Sequence, residues 1–120
     1  MRALIVDDSS AMRAILGMTL KRQGFEVVQA KDGMDALALL EKVEPLDLIL
    51  IDWNMPVMNG LQLLERIRRQ PQFDRTQILM VTTETGMGQM SEALSAGANE
   101  YIMKPFTSEM VSDKLHLVGL

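Results

Sequence analysis

Hydrophobic and polar positions along the chain follow two periods in turn. Short apolar runs, rich in β-branched residues, fall at Ala3–Val6, Glu26–Ala30, Leu48–Ile51, Ile78–Thr82 and Tyr101–Met103, and these read as strands. Between them, apolar residues recur at helical spacing: Met12, Ile15, Leu16 and Leu20, then Ala36, Leu40 and Val43, then Gly60, Leu64 and Ile67. Met87, Met90 and Leu94 continue the series, and Val111, Leu115 and Val118 close it. Asp32-Gly33, Asn59-Gly60, Gly86 and Gly97 punctuate the joints. Strict alternation of strand and helix predicts an α/β fold, a doubly wound parallel sheet with helices on both faces and right-handed crossovers. No shift in composition and no internal repeat divides the chain, so residues 1–120 are expected to form a single domain. The last helix finishes with the chain, as in a complete single-domain protein or a cleanly trimmed fragment.

In a sheet of this kind, ligands and chemistry gather at the carboxyl ends of the strands, near the point where strand order reverses. Asp7 and Asp8 follow the first predicted strand and Asp52 follows the third, while Thr82, Thr83 and Glu84 end the fourth and Lys104-Pro105 ends the fifth. Separate stretches thus deliver carboxylates, a hydroxyl and an ammonium to one rim. Crowded carboxylates repel one another and either bind protons or bind a cation. An oxygen-only ligand set suits a hard ion, and Mg2+ takes one or two carboxylates together with phosphate oxygens. Lys104 adds a point charge able to grip a phosphate, and Thr82 a hydroxyl donor. Such a site is suited to phosphoryl transfer onto a free carboxylate, a step that rests on positioning and charge neutralisation. Each residue also has a plain explanation: Asp7 to Ser10 can be a helix N-cap, Asp52 a strand-end acid, Lys104-Pro105 a turn. Those explanations do not account for all of them lying at the ends of alternating strands.

Composition narrows the classes. With 48% apolar and 23% charged residues, the chain belongs with globular rather than disordered proteins. The absence of cysteine excludes disulfides, thiolate metal sites and a cysteine nucleophile, and suits a reducing cytoplasm. No apolar run approaches the ~20 residues that cross a bilayer, so no membrane role is expected. Asp7 and Asp8 interrupt the apolar start too early for a signal peptide. A net charge of −4 argues against nucleic acid as a direct partner.

Asp7-Asp8 after the first strand, Asp52 followed by Met55-Pro56 and Gly60, Thr82, and Lys104-Pro105 together resemble the response-regulator receiver domain of two-component signalling. Trp53-Asn54-Met55-Pro56 is similar to the stretch found in its chemotaxis regulators. The resemblance covers essentially the whole chain. It implies strand order 2-1-3-4-5 with five helices. It implies that Asp52 accepts a phosphoryl group from a phosphohistidine on a sensor histidine kinase. Mg2+ would be held by Asp8, Asp52 and the backbone carbonyl of Asn54, with Asp7 assisting. Lys104 and Thr82 would hold phosphate oxygens, Tyr101 would be the aromatic switch coupled to Thr82, and the Lys104–Pro105 bond would be cis. Asn54 and Glu84, as in the chemotaxis regulators, would orient the water that removes the phosphate. A downstream protein would read the fourth helix, fifth strand and fifth helix. The chain would be a monomer or a weak phosphorylation-dependent dimer in the cytoplasm, and a signalling domain rather than an enzyme.

Other readings compete. A phosphate-sink receiver, or a receiver excised from a longer regulator, fits the same residues. An aspartyl-phosphate phosphohydrolase of the haloacid-dehalogenase kind needs Asp-x-Asp after the first strand, where this chain has Asp7-Asp8-Ser9. A flavodoxin-type phosphate loop should be rich in Ser, Thr and Gly, and two aspartates there would repel a flavin phosphate. Met87, Met90, Met103 and Met110 either fill core gaps or lie on the output surface. The fourth helix opens with Gly86-Met87-Gly88-Gln89-Met90, where motor-binding regulators are rich in lysine. Arg66, Arg68, Arg69 and Arg75 read as a solvated face, and His116 as a surface or packing residue.

Overall fold

In the computed structural model, residues 1–43, 45–83 and 87–120 are described, the side chain of Met87 excepted. The strands are β1 (Arg2–Val6), β2 (Glu26–Ala30), β3 (Leu48–Asp52), β4 (Gln77–Thr82) and β5 (Glu100–Met103). The helices are α1 (Ser10–Arg22), α2 (Gly33–Leu40), α3 (Gly60–Arg68), α4 (Met87–Ser95) and α5 (Ser108–Leu117). All strand pairs are parallel and the order is β2-β1-β3-β4-β5. The expected doubly wound α/β sheet is therefore present, with each predicted strand within a residue of its place.

Because side chains alternate across a strand, the sheet feeds two cores. Leu4, Val6, Ile49, Ile51, Ile78 and Met80 face the layer of α2, α3 and α4. Ala3, Ile5, Leu48, Leu50, Leu79 and Val81 face α1 and α5. β3 is buried along its whole length, as befits the middle strand of a parallel sheet covered on both sides. Helix ends are set by local chemistry. Ser9 caps α1, accepting from Met12 N at 3.2 Å. At its other end Gly24, at φ +93°, lets Phe25 N reach Leu20 O and Gly24 N reach Lys21 O, closing a Schellman turn.

Some helix positions differ from the expected stripes. Ile15 is 51% exposed and Leu94 47% exposed; α1 turns Met12, Leu16 and Leu20 inward, and α4 turns Ala93. Val43 and Val118 lie beyond the ends of their helices and are half-buried. A short 3-10 turn at Pro71–Phe73, not expected from the pattern, buries Phe73 below α3. Met90 and Met103 are half-buried and Met110 is exposed, so among the described residues the core-filling methionines are instead Met55, Met58 and Met80; the side chain of Met87 lies outside them. His116 is exposed, as expected.

One of the arginines assigned to a solvated face is not there. Arg66, Arg69 and Arg75 are exposed. Arg68 folds back, its Nε donating to Gly97 O (2.9 Å), Nη1 to Phe73 O (2.6 Å), and Nη2 to Thr76 O (2.9 Å) and Asn99 Oδ1 (2.8 Å). A long side chain can bury its stem and still satisfy its fork, which a charge count along the sequence does not reveal.

Candidate functional site

The register of the sheet assembles the rim. Val6 pairs with Ile51, so Asp7 comes alongside Asp52. Asp52 pairs with Val81, so Thr82 stands one step further out. Thr82 pairs with Met103, and Lys104 follows directly. β1 and β3 are neighbours although β2 separates them in the chain, so the two aspartates flank the reversal in strand order where α/β sheets form a crevice.

Asp7, Asp8 and Asp52 each offer a carboxylate oxygen within 4.8 Å of the others. Asp7 is 1% exposed and Asp52 5%, while Asp8 is open to solvent. Asp7 Oδ1 accepts from Ser9 N at 2.8 Å, and the Asp7 carbonyl accepts from Arg13 Nη1 at 2.7 Å. Lys104 Nζ donates to Asp52 Oδ1 at 3.1 Å and lies 3.5 Å from Asp7 Oδ2. That Asp7 Oδ2 is buried without a hydrogen-bond partner. A buried carboxylate oxygen facing two other carboxylates and short of donors fits a hard divalent cation, and so does an all-oxygen donor set.

Burial pushes the Asp52 carboxyl above its ordinary value, and the charge of Asp7 pushes it the same way. Lys104 and a backbone hydrogen bond from Asn54 give only partial relief. Asp52 is thus held in a site that disfavours its bare charge. The turn after it is tight: Trp53 N donates to Val81 O, and Gly60 N returns to Trp53 O at 2.8 Å. A Cβ on Gly60 would meet the Asp52 carbonyl, so only glycine lets α3 begin this close to the strand end. Asn59 and Gln62 close a capping box that fixes that start.

The remaining candidates fall as follows. Thr82 is buried at the end of β4, and its carbonyl accepts from Lys104 N at 2.8 Å. Asn54 is exposed on the rim. Tyr101 pairs with Met80 and is half-buried against the α4-side core, on the same face as Thr82 two residues on. The Lys104–Pro105 bond is cis. Glu84 lies outside the described residues. Ser9 caps α1, but that does not displace Asp7 from the cluster, since Asp7 uses Oδ1 for the turn and leaves Oδ2 in the crevice. Sequence reasoning missed Arg13. Its position, six residues after Asp7 on the first turns of α1, was the available signal.

A family profile for the response regulator receiver domain matches residues 3–116. The chain is 46% identical over 116 residues to a chemotaxis protein CheY homolog of Campylobacter jejuni, covering 96% of this chain and 89% of that one. It is 44% identical over 119 residues to chemotaxis protein CheY1 of Helicobacter pylori, covering 98% and 96%. Among solved structures, chemotaxis protein CheY4 of Vibrio cholerae superposes with a TM-score of 0.91 at 40% identity, covering 98% of this chain and 97% of that one. With likeness running through sequence and backbone across nearly its whole length, the chain belongs to the response regulator receiver domain family, the CheY-type modules of phosphorylation-based two-component signalling.

Proposed function

We propose that residues 1–120 act as one receiver domain whose phosphoacceptor is Asp52, charged by a sensor histidine kinase and serving a chemotaxis-type or stand-alone regulator. The observation that carries this is the Lys104 ammonium, 3.1 Å from Asp52 Oδ1 and 3.5 Å from the otherwise unpartnered Asp7 Oδ2. An Asp52 oxygen attacks the phosphorus of a phosphohistidine, the phosphorus–nitrogen bond breaks, and the leaving imidazole takes up a proton. Lys104 neutralises charge on the transferred group, with the Thr82 hydroxyl as a further donor. Asp7, Asp8 and Asp52, with the Asn54 carbonyl, are the residues that would hold Mg2+. When bound, the ion supplies positive charge to the phosphoryl oxygens. Asn54 and Glu84 orient the water that later cleaves the acyl phosphate.

Phosphate on Asp52 then biases Thr82 and Tyr101, and the change is read at α4, β5 and α5 by a downstream protein. The chain acts in the cytoplasm, as a monomer or weak phosphorylation-dependent dimer, without direct contact to nucleic acid. None of its described helices is long and apolar enough to cross a membrane. Trp53, buried beside the acceptor, is a built-in probe. Its fluorescence should change on adding Mg2+ and again with acetyl phosphate, and intact-mass analysis should find one phosphoryl group on Asp52. Asp52→Asn should remove the second response. Phosphorylation that persists in that variant, or needs no Mg2+, would defeat the assignment.

A further inference from the structure

Around the outer edge of β5, side chains from two elements meet in a contact that phosphoryl transfer does not use. Glu100 and Tyr101 are adjacent, so they project to opposite faces of the sheet. Tyr101 packs toward the α4-side core. Lys114, on α5, belongs to the other layer, yet its Nζ lies 4.3 Å from the centroid of the Tyr101 ring. The same ammonium pairs with Glu100 Oε1 at 3.2 Å, and that oxygen also accepts from Tyr101 N at 3.1 Å. Only at a sheet edge can a cation from one layer reach the ring of a residue belonging to the other, and β5 is the edge strand. Glu100 and Lys114 are both partly buried, 22% and 27% exposed, so the arrangement is shielded in part from solvent. An ammonium over a ring face is attracted by the ring quadrupole, and here a carboxylate keeps it in place.

We propose that Lys114 is a positioning residue for Tyr101: anchored by Glu100, its ammonium holds the ring in its half-exposed place, so an inward turn toward Thr82 must first break the cation–π contact. This rests on the reading of Tyr101 as the switch. Lys114 then sets the balance between the two ring positions, and removing its charge favours the phosphate-bound one. A contact of this strength corresponds to about a two- to fivefold shift in that balance.

Beryllium fluoride, a phosphoryl mimic, serves as the probe, titrated at saturating Mg2+ and followed by Trp53 fluorescence. Lys114→Gln should tighten its binding about two- to fivefold, with Mg2+ affinity unchanged. Lys114→Arg, which keeps a cation over the ring, should restore the wild-type value. In a Tyr101→Ala background, Lys114→Gln should change nothing. Unaltered binding in Lys114→Gln, or an effect that survives without Tyr101, overturns the proposal. Tyr101 is the chain's one tyrosine, so its ring resonances are directly assignable. Nuclear Overhauser contacts from that ring to the Thr82 methyl should strengthen in Lys114→Gln, and static contacts also overturn it. A wild type that ignores beryllium fluoride defeats the phosphoacceptor assignment instead, and the resonance measurement still decides whether Lys114 positions the ring.

Discussion

At Val57 the backbone takes φ +69° on a β-branched residue, a left-handed conformation that costs about 1–2 kcal/mol. Its side chain is 99% exposed, so packing returns nothing. Val57→Asn places a residue that tolerates this conformation in the same loop and should stabilise the fold by about 1 kcal/mol, raising the melting temperature by about 3–5 °C. Calorimetry checks it, and an unchanged or lower melting temperature counts against strain at this position. Nothing in the sequence announced the strain, because a left-handed position is recognised by Asn or Gly and this one holds valine. Asp7, Asp52, Thr82 and Lys104 were legible for the opposite reason: each follows an apolar run directly, and a parallel sheet delivers every such position to one rim. Arg13 was not, since its contact to the Asp7 carbonyl depends on how α1 is rotated.

The strands were easy to read because both faces of a parallel sheet are covered, which leaves unbroken apolar runs such as Leu48–Ile51. Helices expose one side, and the edge of an apolar stripe is ambiguous by a residue; hence Ile15 and Leu94 faced solvent while small Ala93 took the inner place. The joints between elements carry more of the architecture than the stripes did. Gly60→Ala would drive a methyl group into the Asp52 carbonyl and force α3 away from the end of β3. It should cost about 2–3 kcal/mol in urea denaturation, and it should also impair phosphorylation if Asp52 is the acceptor as proposed, since the Asp52 backbone is the obstacle. Arg68 ties the end of α3 to the 3-10 turn and to the segment before β5. Arg68→Ala strands the carbonyls of Phe73, Thr76 and Gly97 and should cost about 2–4 kcal/mol, while leaving Mg2+ affinity intact because these bonds lie at the opposite end of the sheet. Loss of metal affinity together with stability would show that the two ends are coupled.

Across the whole molecule, stability and the proposed function pull on the same carboxylate. Burial, and then Asp7, raise the Asp52 carboxyl above the 3.8 expected of the unfolded chain. The folded protein therefore binds that proton more tightly than the unfolded chain does. In the window from 3.8 up to the raised folded value, stability is lost as pH rises, and at neutral pH the bare Asp52 charge is a net cost. Asp52→Asn should accordingly be more stable than wild type at pH 7 in a chelator. The gap should close as pH falls below that window, where the native carboxyl carries its proton. Mg2+ acts in the opposite direction: a ligand that binds only the folded state stabilises it by about 1.4 kcal/mol at roughly ten times its dissociation constant. Wild type should gain that increment at neutral pH, and Asp52→Asn, lacking one carboxylate of the cluster, should gain less. Denaturation curves for both proteins, followed from acid to neutral pH with and without Mg2+, test the whole relation. A variant less stable than wild type in chelator, or a gap that Mg2+ does not narrow, would mean that Asp52 is well satisfied by Lys104 alone. The crevice would then have no electrostatic need of a cation.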